Sequence, residues 1–63
     1  MMWVYLKEAD GTKVSVNLDH VSSYTEAEDG KTVLWMDNGK RIKTSVTYAE
    51  MQSEIRWAME GNK

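Results

Sequence analysis

The groups in this chain that could do chemistry are few and scattered. His20 is its one imidazole, with Asp19 beside it. Neighbours on a strand point to opposite faces, so the two are read as a loop histidine and a solvated carboxylate rather than a catalytic couple. The acidic run Glu26, Glu28, Asp29 is spaced loosely like a cation loop. It lacks the dense ligand set and closing Glu that hold calcium, and reads as a solvated turn. With no cysteine there is no thiolate nucleophile, disulfide or thiolate zinc site, and a lone His argues against a structural zinc. The serines have only His20 to serve as a base, and no Gly-rich phosphate loop is present. The expectation is therefore a protein that is not an enzyme, with no metal, no cofactor and no small-molecule substrate.

What remains is binding chemistry. Lys40, Arg41 and Lys43 lie close together beside Leu34 and Met36, a basic fringe that could face phosphate or keep an exposed sheet soluble. Trp57 falls almost opposite the apolar stripe of its helix, so an indole is expected to project toward solvent, where it could anchor another surface. The formal charge is only −2, which argues against a general polyanion binder. Its distribution is uneven: residues 1 to 30 carry two Lys against six acids, and residues 31 to 63 carry six basic groups against four acids.

The elements that position these groups are organised around residues 31 to 46. Asn38-Gly39 reads as a two-residue type I′ turn, both of whose central positions need positive φ. That places Met36 opposite Arg41, Trp35 opposite Ile42, Leu34 opposite Lys43 and Val33 opposite Thr44. Asp10-Gly11 and Asp29-Gly30 read in the same way, setting Tyr5 opposite Val16 and Tyr24 opposite Trp35. Under this register Trp3, Tyr5, Val14, Val16, Leu18, Tyr24, Val33, Trp35 and Ile42 form the core face. Val4, Leu6, Leu34 and Met36 fall on the other face as an exposed apolar strip.

After Val46 the apolar period changes from two to 3.6, with Tyr48, Met51, Ile55, Ala58 and Met59 in a stripe. Thr47 and Glu50 form a capping box, Val46 can staple onto Met51, and Gly61 is a natural stop. The expected fold is one α+β domain over residues 1–63: a five-stranded antiparallel meander, open or curled into a small barrel, followed by a C-terminal amphipathic helix. The strands are expected at about 2–8, 13–18, 21–27, 31–36 and 40–46, and the helix at about 48–60. No segment reaches the ~18 apolar residues of a membrane span, and no signal peptide is evident, so a cytoplasmic location without membrane contact is the default.

A domain of 63 residues without disulfides is marginal alone. The strip Val4, Leu6, Leu34, Met36, together with Trp57, is more apolar surface than such a chain usually leaves bare, which predicts a homodimer or an unidentified protein partner. The favoured reading is a small non-enzymatic, self-associating interaction or accessory module. The alternative is a nucleic-acid-binding module using Lys40, Arg41 and Lys43.

Residues 16 to 55 resemble the FlbD family of small flagellar proteins. The likeness rests on Val16-Asn17, Val21, the run Thr32-Val33-Leu34-Trp35-Met36 leading into Asn38-Gly39-Lys40, and Thr44-Ser45-Val46 entering a helix that reaches Ile55. The family commonly has Glu-Ser where this chain has Thr44-Ser45. The resemblance implies a bacterial, non-enzymatic accessory protein. The run from Val21 through Ala27 to Ile55 also looks like part of a LytTR DNA-binding domain, whose DNA-contacting half would lie beyond that helix.

Overall fold

The computed structural model describes residues 2–60, the side chain of Glu60 excepted. The elements are β1 (Trp3–Lys7), β2 (Lys13–Asn17), a 3-10 turn (Leu18–His20), β3 (Val21–Glu26), β4 (Lys31–Met36), β5 (Arg41–Thr47) and α1 (Tyr48–Glu60). The α+β class holds: five antiparallel strands precede a single C-terminal helix. They form a two-stranded sheet, β1-β2, and a three-stranded sheet, β3-β4-β5, and do not close into a barrel. The expected helix stop at Gly61 lies outside the described residues.

Three turns of one design set every register. Gly11, Gly30 and Gly39 donate their N–H groups to the carbonyls of Glu8, Ala27 and Met36 at 2.9, 2.9 and 3.1 Å. In return Glu8, Ala27 and Met36 donate to Thr12, Lys31 and Lys40, each at 2.8 Å. Among the described residues positive φ is confined to glycines, and Asn38 is not left-handed. These are three-residue loops, a type I turn closed by a glycine bulge, rather than type I′ turns. The side-chain oxygens of Asp10, Asp29 and Asn38 accept the N–H of Thr12, Lys31 and Lys40 at 2.9 to 3.0 Å, which holds the third loop residue in place.

The extra loop residue moves each register by one. Leu34 faces Ile42 and Trp35 faces Arg41; Tyr24 faces Leu34; Val4 faces Val16 and Tyr5 faces Ser15. A one-residue slip exchanges the faces of a strand. The expected core face is thereby corrected: Trp3, Tyr5 and Trp35 are exposed, whereas Leu34 is completely buried. Val14, Val16, Tyr24 and Ile42 do face inward, joined by Leu6 and Met36 from the strip expected outside.

Two irregularities keep apolar side chains inside. A bulge between Val21 and Ser23 lets both Val21 and Tyr24 reach the core despite their odd spacing. In β5 the pairing jumps from Val33↔Lys43 to Lys31↔Thr47. The buried Thr44 occupies that jump, its hydroxyl donating to the Thr32 carbonyl at 3.0 Å and accepting the Val46 N–H at 3.2 Å. Here β5 also meets β1 through a Glu8↔Thr44 bridge, an Ala9 N–H to Lys43 carbonyl bond of 2.9 Å and a Ser45 hydroxyl on the Lys7 carbonyl at 3.2 Å. The spatial sequence of strands is thus β2, β1, β5, β4, β3.

The helix covers the inner face. Its start follows the expected box: the Thr47 N–H donates to Glu50 Oε1 at 3.0 Å and the Glu50 N–H to Thr47 Oγ1 at 3.2 Å. Met51 is fully buried against Val16 and Leu34, with Ile55 and Val46 packed on that cluster. Ala58 is buried too, but Met59, expected in the stripe, is 63% exposed.

Candidate interaction surfaces

The predicted interaction strip does not exist as a surface. Leu34 is at the centre of the core, Leu6 and Met36 pack against it, and Val4 is half-buried opposite Val16. Of that set, only Trp57 stands free of the core, at 69% exposure. The physical reason is the turn: the glycine bulge adds a residue that the sequence pattern does not distinguish from a tighter loop.

The three predicted basic residues are all exposed and lie on or beside one face. Arg41 places its guanidinium 5.9 Å from the Trp35 ring centroid, a cation–π arrangement. Lys43 reaches the Asp29 carboxylate at 3.3 Å. Lys40 follows the Gly39 turn, its N–H held by Asn38. Asp29 is kept below the ordinary carboxylate range by the Lys31 N–H first and by the Lys43 hydrogen bond and charge after it.

The outward face holds more than the sequence reading found. Strand alternation puts Trp3, Tyr5 and Lys7 of β1, Lys13 and Ser15 of β2, Thr25 of β3, Trp35 of β4, and Arg41, Lys43 and Ser45 of β5 on the side away from the helix, and all are exposed. Among the described residues, no outward strand position is acidic. The carboxylates sit in turns, at strand ends and on the helix, with Asp29 alone shown reaching in to a lysine of this face. Lys7 stands directly opposite Lys13, and Tyr5, Lys7, Lys13 and Ser15 line a shallow groove of about 420 Å³. Trp35 is held in place on this face, its Nε1–H donating to Thr25 Oγ1 at 3.0 Å. The sequence signal was available: in β1 and β4 the aromatic and basic residues share one parity, as the two basic residues of β5 do.

A second surface lies at the far end of the helix. Met2, Leu18, Val21, Ser22, Ser23, Tyr24, Ile55 and Met59 line a groove of about 460 Å³ that contains no charged side chain. Trp57 lies across the helix from Met59 by helical spacing, on the flank of Glu50 and Glu54.

His20 has a partner that sequence adjacency did not show. Its Nδ1 lies 2.9 Å from Asp37 Oδ2, and the Asp37 N–H donates to the His20 carbonyl at 2.8 Å. The Asp37 hydrogen bond and charge hold the imidazole above its ordinary pKa, with a smaller contribution from Asp19. The pair is exposed and fastens the start of β3 to the central turn. Among the described residues no three His, Cys, Asp or Glu side chains are grouped to hold a metal, and no helix is long and apolar enough to cross a membrane.

Comparison with protein-family models, curated proteins and solved structures returns no match to this chain.

Proposed function

We propose that this chain is a small non-enzymatic interaction module that self-associates through the apolar groove between the 3-10 turn, β3 and the end of α1. The observation that carries the reading is that groove: apolar, free of charged side chains, and bordered by a Met59 that is 63% exposed. In a two-fold dimer a patch meets its own copy, so like charges would be opposed wherever the patch carries a net charge. The groove avoids that opposition and the lysine-rich outer face does not. The resemblance of residues 16 to 55 to the FlbD family points the same way, toward a bacterial accessory protein without catalysis. Trp57 remains an anchor outside the groove for a further protein partner. Sedimentation equilibrium at tens of micromolar should give a mass of two chains, falling to one with Met59→Lys, whose exposed position leaves the core intact. A one-chain mass for the parent protein would overturn self-association.

A further inference from the structure

We infer that the outward face of the two sheets is a binding site for single-stranded nucleic acid, read by stacking on Tyr5 and Trp35 and by phosphate contacts from Lys7, Lys13, Arg41 and Lys43. The inference rests on the reading of the chain as a binding module rather than a catalyst, and concerns a surface separate from the apolar groove. It differs from a binding mode confined to the basic hairpin in drawing on β1 and β2 as well as β5.

Three observations converge. The first is charge: a protein of net charge −2 presents, on this face, four exposed cations and no acidic strand position. A charge segregated against the net balance attracts a ligand of the opposite sign, and a polyanion gains by releasing its counterions. The second is an arrangement that folding alone disfavours. Lys7 and Lys13 are directly opposed across the β1-β2 ladder, and like charges so placed destabilise a sheet. The β1–β5 bridge then sets Lys43 opposite Ala9, diagonally across from Lys7. An anion between the lysines would turn that repulsion into attraction.

The third is the aromatic side chains. Tyr5 is 82% exposed and shares its groove with Lys7 and Lys13. Trp35 is 38% exposed, oriented by its bond to Thr25 and bordered by Arg41. Bases stack on such rings only when they are unpaired, since duplex bases are stacked on one another, so rings beside cations on an open sheet select single strands. An acidic protein would satisfy the lysines but would not bring a run of flat, unpaired bases to both rings.

The test is a fluorescence-anisotropy titration of the intact chain with a labelled oligothymidylate of about 12 nucleotides at low salt, followed by tryptophan emission. Binding should quench tryptophan. Its affinity should fall with salt at a slope of about −3 in log K against log concentration, four phosphates each contributing about 0.7. Lys7→Ala with Lys13→Ala should halve that slope. Tyr5→Ala, at a position too exposed to affect folding, should weaken binding about tenfold while leaving the slope unchanged. No binding at low salt would overturn the inference. So would equal affinity for a duplex or for polyglutamate with Tyr5→Ala behaving as parent, since charge alone would then explain it. Sedimentation of the same samples separates the two proposals: a dimer that binds no oligonucleotide sinks this site and leaves the interaction module standing.

Discussion

The inner and outer faces of the same five strands follow opposite rules, and Leu34 and Trp35 show it side by side. Leu34 is completely buried between Val16 and Met51, while its neighbour Trp35 is 38% exposed. Trp is the more apolar payload by area, so hydrophobicity by itself would have chosen it for the interior. The space under a single helix favours compact aliphatic side chains, and an indole there would overfill the core and need a partner for its N–H. Trp35 finds that partner in Thr25 on the outside. The inner face accordingly serves cohesion, and the outer one holds aromatic rings among cations in contact with solvent.

The sharpest way to break this comparison is to truncate both neighbours. Leu34→Ala should destabilise by about 2 to 5 kcal/mol, because it removes a fully enclosed side chain and leaves a cavity. Trp35→Ala should cost well under that in the same urea denaturation series. Equal losses would mean the two faces are not distinct. For the same reason Leu34→Lys should unfold the chain by burying an unpaired charge, rather than disperse an oligomer.

Next in size is the turn that decides which face is which. Gly39 has φ +90°, and nothing lies within 4 Å of an added Cβ, so Gly39→Val tests backbone strain free of any clash. A loss of about 1 to 3 kcal/mol is expected, and melting like the parent protein would mean that the glycine bulge does not set the register.

The inner face also contains an unspent gain. Thr32 is fully buried, and its hydroxyl has no hydrogen-bond partner among the described residues. Thr32→Val keeps the shape and removes the unsatisfied group, so it should raise stability by about 1 kcal/mol. A loss instead would show that the hydroxyl is satisfied in solution.

The smallest effect belongs to the exposed His20–Asp37 pair. A histidine whose folded pKa is raised contributes stability that is fully present below its ordinary value of 6.5 and is lost as pH rises through the folded pKa. Stability should therefore decline slightly from just below neutrality upward, and His20→Gln should remove that slope. Glu50, held below its ordinary value by the Thr47 hydrogen bonds, has the opposite sign: its contribution is present above 4.5 and disappears in acid as pH falls through the folded pKa. A pH profile identical in His20→Gln and parent would show the pair to be energetically silent.

Local chemistry in the sequence was enough to place the elements. Asx-Gly at three points marked three turns, branched and aromatic runs marked the strands between them, and Thr47 with Glu50 marked the helix start, because each of these depends on contacts within a few residues. The outward Trp57 followed from helical spacing in the same way. Sequence could not choose between two loops that both want glycine after Asp or Asn, and that choice moved every register by one and turned the expected interaction strip into core. Nor could it show the β1–β5 bridge, the bulges at Val21 and Thr44, or the meeting of His20 with Asp37, which all join residues brought together by the folded sheets. Which face looks inward is decided by how well a whole set of side chains fills the space beneath one helix. That packing is a property of all the strands at once, and no single stretch of the chain contains it.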